Sequence, residues 1–477
     1  MLKRLYKYGL LILLATSVSL PSYSSELPII GDTTSSIISL DQEHKLGRVW
    51  ARMLRGRAPE LSDPLTVNYL DGLLWELAAS SQLQDHRLEL IVLDNSTLNA
   101  FAVPGGIVGI NSGLILGAHD EEELASVVAH ELAHLSQRHY AQQLEESRRN
   151  RPFLLAAMLA SILVAAADTE AGVAGISGTI AAGQQAGLAF SRRNEQEADR
   201  IGMLNLVAAG FDPLAMPRMF SRIQRSTRFL GQRPPEFLLT HPVTESRIAD
   251  AENRARQLPK NAYRDYRYDF PLIQKRLQVH YTAQLQTLTK ELAENATSDS
   301  VSRYGLALAH MKANHLDKAN EALAGLSPAL KNHLFVKLTK AELLLAEKKN
   351  TEASSLLKLL DQLYPGSYPV SVLYAKALRA DNQAKASAQI LESLSQRYPT
   401  NSFIWYELAE TYGLAGNTLG VHEARIEYFL LIGAVDRAIR QIGFALKEKQ
   451  LTSSDIARLE QRKQEAVAIR QQIKDGF

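Results

Sequence analysis

The sequence has no cysteine. That excludes disulfides, thiolate nucleophiles and cysteine-ligated zinc fingers, so stability must come from packing and from whatever a metal adds. Net charge is scarce as well, +2 over 477 residues, and gives no compositional footing for binding nucleic acid. Long apolar runs are missing too. Phe153 to Ala167 is almost wholly apolar but spans only fifteen residues, short of the roughly 20 that a bilayer-spanning helix needs. It reads as a buried helix, with peripheral contact to a membrane as the alternative. What remains is ordinary globular composition, 46% hydrophobic and 22% charged. The chain is too long for one compact core, so two or three domains are expected.

At the N-terminus Lys3, Arg4 and Lys7 precede the apolar stretch Gly9 to Leu20, then Pro21 and the small residues of Ser22-Tyr23-Ser24. This is the pattern of a secretory signal peptide over residues 1–24. Export to the periplasm is the expectation, an uncleaved anchor the alternative. Removing three cations takes the net charge from +2 to −1.

Residues 40–90 carry apolar residues at helical spacing, as in Leu70, Leu73, Leu74 and Leu77. Leu88 to Leu93, Asn99 to Val103 and Ile107 to Ile110 read as strands, the second stopped by Pro104-Gly105-Gly106. Asp120 is a good helix N-cap, with Glu121, Glu122 and Glu123 in the first turn, where the helix dipole favours negative charge. A Gly- and Ala-rich stretch runs from Ala171 to Ala189, and a further helix is expected from Arg192 past Leu204.

The last third repeats. Ala307, Ala341, Ala375 and Ala409 are each 34 residues apart, and so are Ala319, Ala353 and Ser387. Leu323, Leu357 and Leu391 keep the same period, as do Pro365 and Pro399. Small residues where two helices cross, at this period, are the tetratricopeptide pattern, whose helix pairs stack into a curved solenoid with a concave face. Ala438, Ile442 and Ala445 suggest one more helix pair, out of phase.

The chemistry lies in His130-Glu131-Leu132-Ala133-His134, which matches His-Glu-x-x-His. Positions i and i+4 share one face of a helix, so both imidazoles can reach one metal. Zinc lowers the pKa of bound water to about 7, and Glu131 is placed to take the proton. A catalytic zinc needs a third protein ligand. Glu195 and Asp199, four apart on the next expected helix, offer it. Glu195 can bind the metal while Asp199, the second candidate catalytic carboxylate, accepts the ring N–H of a ligating His. Glu197 points elsewhere and reads as solvated. His139 leaves the face of His134 and reads as supporting a ligand or as solvated. His119 falls in the loop before the helix, and the remaining histidines show no ligand spacing. Residues Asn99, Ala100, Phe101, Ala102 and Val103 are a candidate edge strand beside the metal, on which an extended substrate can pair.

His130-Glu131-x-x-His134, Glu195-x-x-x-Asp199 with Ala198 before Asp199, and the run Asn99 to Gly106 together resemble the M48 family of zinc metallopeptidases. The resemblance, taken with the signal peptide and the repeats, covers nearly all of the exported chain. It implies a mostly α fold with a small β-sheet: a zincin-like metallopeptidase domain over 25–260, a helical connector over 261–300 and an α-solenoid of tetratricopeptide repeats over 301–477. It implies one Zn2+ per subunit and endopeptidase activity toward unfolded or misassembled outer-membrane β-barrel proteins. It also implies help to the β-barrel assembly machinery through the repeats. The alternative is a periplasmic chaperone or adaptor whose zinc site inhibits itself. His241 bears on that choice. It sits in Leu239-Thr240-His241-Pro242-Val243-Thr244-Glu245-Ser246-Arg247, a segment the family also shows, where the matching His can fill the fourth zinc position. Two other roles stay open for it: stabilising a transition state near the metal, or a helix-entry His bonded to backbone.

Overall fold

A computed structural model describes residues 38–142, 191–229, 236–259 and 268–475. The expected signal peptide, the apolar run 153–167 and the stretch 171–189 lie outside them. Among the described residues no helix is long and apolar enough to cross a membrane.

Helix α1 (Leu40–Arg55) starts at a capping box of Ser39 and Gln42. Helix α2 (Pro64–Ala79) starts at Asp63, whose carboxylate accepts from the Thr66 N–H, with Pro64 in the first turn where its missing N–H costs nothing. Three short strands follow, β1 (Glu89–Leu93), β2 (Ala100–Val103) and β3 (Ile107–Asn111). They form one sheet in the order β1-β3-β2, with β1 parallel and β2 antiparallel to β3. So β2 is an edge strand, as its sequence suggests. Its Phe101 side chain is buried in the core. The ring lies across β3, where a Cβ on Gly109 would sit 2.1 Å from it, and meets Trp50 of α1 edge-on at 5.6 Å.

After β3 the chain turns at Ser112 into a short helix, α3 (Gly113–Gly117), which leads to α4 (Glu121–Ser136). Asp120 caps α4 by accepting from the Glu123 N–H at 2.8 Å. Among the described residues four more helices belong to this part: α5 (Arg192–Ala208), α6 (Ala215–Phe229), α7 (Glu236–Thr240) and α8 (Glu245–Gln257). Leu65, Leu70, Leu77, Val108, Ile110, Leu124, Val128 and Leu132 fill the space between α2, the sheet and α4.

Helix α9 (Asp269–Tyr281) packs on α2 and α3 on one side and on α11 (Ser300–Lys312) on the other. Between them lies α10 (Leu285–Asn295). The repeats then run as pairs: α11 with α12 (Leu316–Ala324), and, after the short α13 (Pro328–Lys331), α14 (Leu334–Ala346) with α15 (Asn350–Leu363). Next come α16 (Tyr368–Ala380) with α17 (Ala384–Arg397) and α18 (Ser402–Ala415) with α19 (Thr418–Leu431). The out-of-phase pair is α20 (Val435–Ala445) with the long α21 (Ser453–Asp475). The alanines of the 34-residue period sit buried where paired helices cross, and Ser387 replaces one of them by donating its hydroxyl to the Ala375 carbonyl at 2.7 Å.

The array is fastened to the first part at both ends. Near its start, Arg276 of α9 reaches Asp63 at 2.6 Å and Glu342 of α14 at 2.9 Å, and donates to Thr339 at 3.1 Å. Near its end, the turn at Gly433 (φ 67°) lies against the backbone of Arg52 in α1. A Cβ on Gly433 would sit 2.9 Å from the Arg52 carbonyl oxygen, so this approach requires glycine.

Replacing Arg276 by Met leaves Asp63 and Glu342 without their shared cation. These side chains are 11–21% exposed, so the expected loss is about 2–3 kcal/mol, below the fully buried case. Burial works to raise the Asp63 pKa, but Arg276 outweighs it and holds the carboxyl below its ordinary value. The stabilisation is therefore complete above about pH 5 and disappears as Asp63 is protonated below about pH 4. Urea unfolding of both chains across that range measures it; a difference that grows as pH falls contradicts the assignment.

Candidate metal centre

Helix α4 is buried along almost its whole length, and His130 and His134 emerge one turn apart on the same face. Helix α5 begins at Ser191, which accepts from the Asn194 N–H at 3.2 Å, and crosses α4 with Glu195, Asp199 and Gly202 on one face. At Gly202 the two backbones touch: a Cβ there would lie 3.0 Å from the Ala129 carbonyl oxygen and 3.1 Å from His130 Cα. The third element is the α7–α8 corner. Thr244 caps α8 by accepting from the Arg247 N–H, and His241 donates its backbone N–H to the Phe237 carbonyl at 2.8 Å. The Phe237 ring stacks on the His241 ring at 4.8 Å.

These elements bring His130, His134, Glu195 and His241 together, all buried, with one donor atom of each within 4.8 Å of the others. His130 Nε2 lies 3.1 Å from His134 Nε2 and 3.4 Å from His241 Nδ1. His241 Nδ1 lies 3.0 Å from Glu195 Oε1, and His134 Nε2 lies 3.5 Å from the same oxygen. Donors about 2.0–2.1 Å from a tetrahedral zinc are about 3.3–3.4 Å from one another. The observed spacings match that figure, and the donor set of imidazoles and a carboxylate is the one zinc prefers. The residues present therefore fit a zinc ion.

The electrostatics point the same way. Burial works to lower the His130 pKa, but Asp199 and Glu195 outweigh it and raise it to about 9. Burial, then the charge of His130, drives His134 well below its ordinary value. Burial works to raise Glu195, yet His241 and His130 hold it well below the carboxylate range. Imidazoles and carboxylates in the pocket thus set one another's protonation, as closely packed donors to a single ion would.

Around the four donors stands a second set of contacts. Asp199 Oδ1 lies 3.0 Å from His130 Nδ1. Arg247 grips both carboxyl oxygens of Asp199 at 2.7 Å and reaches Glu195 Oε2 at 2.7 Å, while its guanidinium lies over the Phe220 ring. Glu131 is buried, with Oε1 3.4 Å from His241 Nε2, and its carboxylate accepts the Ala102 N–H. That N–H is available because of the strand register. Asn99 accepts from the Asn111 N–H, so the odd-numbered residues of β2 turn their backbones to β3. Ala100 and Ala102 turn theirs outward. His139 is fully buried against His134, not solvated, and Glu197 is only one-third exposed and faces His139.

Arg247, Gly202 and Phe237 escaped the sequence reading. Gly202 left a signal: a glycine inside a helix costs about 1 kcal/mol, so it implies a close approach. Arg247 and Phe237 left none.

Comparison with known proteins agrees with this geometry. The family model of peptidase family M48 matches residues 64–255. The β-barrel assembly-enhancing protease of Escherichia coli O157:H7 is 35% identical over 442 residues, covering 91% of this chain and 90% of that protein. The putative β-barrel assembly-enhancing protease of Vibrio cholerae is 33% identical over 421 residues, 87% of each chain. The mitochondrial metalloendopeptidase OMA1 of Schizosaccharomyces pombe is 30% identical over 218 residues, 45% of this chain and 61% of that protein.

Arg247→Met leaves two buried carboxylates uncompensated. The metal-free chain should lose about 3–5 kcal/mol, and added zinc should recover part of it by replacing the missing charge. Urea unfolding with and without zinc checks this; equal losses in both conditions would separate Arg247 from the metal centre.

Proposed function

The chain belongs to peptidase family M48 and is a zinc metallopeptidase, and from that premise we propose that it works in the periplasm on outer-membrane β-barrel proteins that have not assembled. Three units divide the work: a peptidase domain over 25–260, a connector over 261–300 and repeats over 301–477. In this reading His130, His134 and Glu195 hold the zinc ion. When bound, zinc supplies the positive charge that acidifies water and polarises a carbonyl. Glu131 takes up the proton at Oε1. Burial raises its pKa, opposed by His241 and His130, which makes it a stronger base than an exposed carboxylate. Asp199 positions His130, and Arg247 positions Asp199. An extended substrate pairs with the outward backbone groups of Ala100 and with the Ala102 carbonyl, the Ala102 N–H being held by Glu131, and so adds a strand to the sheet. A client with unpaired strands suits such an edge.

The observation that carries the regulatory part of this reading is the place of His241. Its Nδ1 completes the donor set, and its Nε2 faces the Glu131 carboxylate that would act as base. One side chain thus occupies the fourth position and engages the base, which supports a resting, closed site. The same observation favours a second reading, in which the chain serves chiefly as a chaperone or adaptor. A cleft of about 550 Å3 between α2, α9 and the repeats, lined by Val372, Leu391 and Phe403 among others, suits such contacts, including those with the assembly machinery.

Glu131→Gln should keep zinc and lower the cleavage rate by about 10²–10⁴-fold. His241→Ala should raise cleavage of an unfolded β-barrel protein several-fold. Loss of cleavage on removing His241 would instead assign it to the chemistry, and no change would sink both roles. Restoration of barrel assembly in cells by the Glu131→Gln chain would favour the second reading.

A further inference from the structure

The two imidazoles of α4 are backed in different ways. Behind His130 stands a carboxylate, Asp199. Behind His134 stands another imidazole: His139 Nδ1 lies 3.0 Å from His134 Nδ1, with ring centroids 4.9 Å apart and nearly perpendicular. His139 follows His134 by five residues, off helical register. It returns because Arg138 adopts a left-handed conformation, φ 52°, just after α4 ends. That conformation is unfavourable for a residue with a side chain. Arg138 is held in it from outside, donating to Glu43 at 2.6 and 3.0 Å and to the Ile38 carbonyl at 2.6 Å. On its far side, His139 Nε2 faces Glu197 Oε2 at 3.6 Å.

We infer that His139 is a positioning residue for His134, and that Glu197 in turn orients His139. The inference rests on the reading of His134 as a zinc ligand through Nε2. A ligating nitrogen offers its lone pair, so the neutral ring carries its hydrogen on Nδ1. The atom of His139 that faces that hydrogen is Nδ1, 3.0 Å away, which accepts it. His139 is thereby the tautomer with its hydrogen on Nε2, the atom that faces the Glu197 carboxylate. One choice of tautomer at the metal fixes the next ring and aims its N–H at an anion. Each ligating histidine of α4 thus ends on a carboxylate, His130 directly and His134 through one intervening ring. Glu197 sits at the partly exposed rim, so the second line runs from the metal toward the surface.

The test is zinc affinity of the full chain, measured by competition with a chromogenic chelator, beside thermal melting of the zinc-free chains. His139→Phe keeps a ring and removes the acceptor, and should weaken zinc binding about 10–100-fold. His139→Asn returns a carbonyl oxygen near the place of Nδ1 and should recover most of that loss, which a purely space-filling role would not allow. Glu197→Ala, at the rim and safe for folding, should weaken binding by less, and should add nothing to His139→Phe in the double variant. Wild-type affinity in both His139→Phe and Glu197→Ala overturns the inference, as does a His139→Asn chain as weak as His139→Phe. If His139→Phe does not fold, the Glu197→Ala arm and the His139→Asn arm decide. His134→Ala is the control: if it binds zinc like the wild type, the ligand assignment itself has failed.

Discussion

Everything chemical in this protein depends on two helices approaching until backbone meets backbone. Gly202 permits the contact between α4 and α5. Glu195 and Asp199 lie two turns and one turn before it on the same face, so the depth of the crossing sets where their carboxylates arrive. With any larger residue at that point the helices would separate, and the carboxylates would withdraw from the imidazoles. A few tenths of an ångström matter here, because metal–donor distances tolerate little error.

Such closeness carries an electrostatic cost. Glu131, Glu195 and Asp199 are all buried around one cluster of imidazoles, and isolated buried carboxylates are unstable. Arg247 offsets part of the charge, and the imidazoles offset more. Charges of both signs are thus packed together out of water, and a bound cation would add to the compensation that Arg247 and the imidazoles give. Asymmetry then enters through His241, which reaches the cluster from a different element than the other three donors.

Much of this was legible in the residues, for identifiable reasons. His130 and His134 are four apart, and helical geometry alone places them together. The 34-residue period was legible because each repeat must put a small side chain where its helices cross, and Ala307, Ala341, Ala375 and Ala409 do so. The strands were legible from Pro104-Gly105-Gly106 and the apolar runs beside it. What stayed hidden depends on distance in space alone. Arg247 looks like an ordinary charged residue in a polar helix until α8 lays it against α5. Glu197 looks solvated because helical spacing says nothing of the ring that Arg138 turns toward it. Phe101 belongs to the predicted edge strand, yet its side chain serves the core, since an edge offers its backbone to a visitor and not its side chains.

The fastening of the repeat array at both ends has a mechanical consequence. A solenoid held at one end behaves as a spring, and its curvature follows whatever it grips. Here Arg276 holds the first turns and the contact at Gly433 holds the last, so the curvature is set by the peptidase side. The array becomes a fixed jaw rather than a flexible arm. A partner that docks on it meets a surface already set in shape, so the cost of ordering falls on the partner.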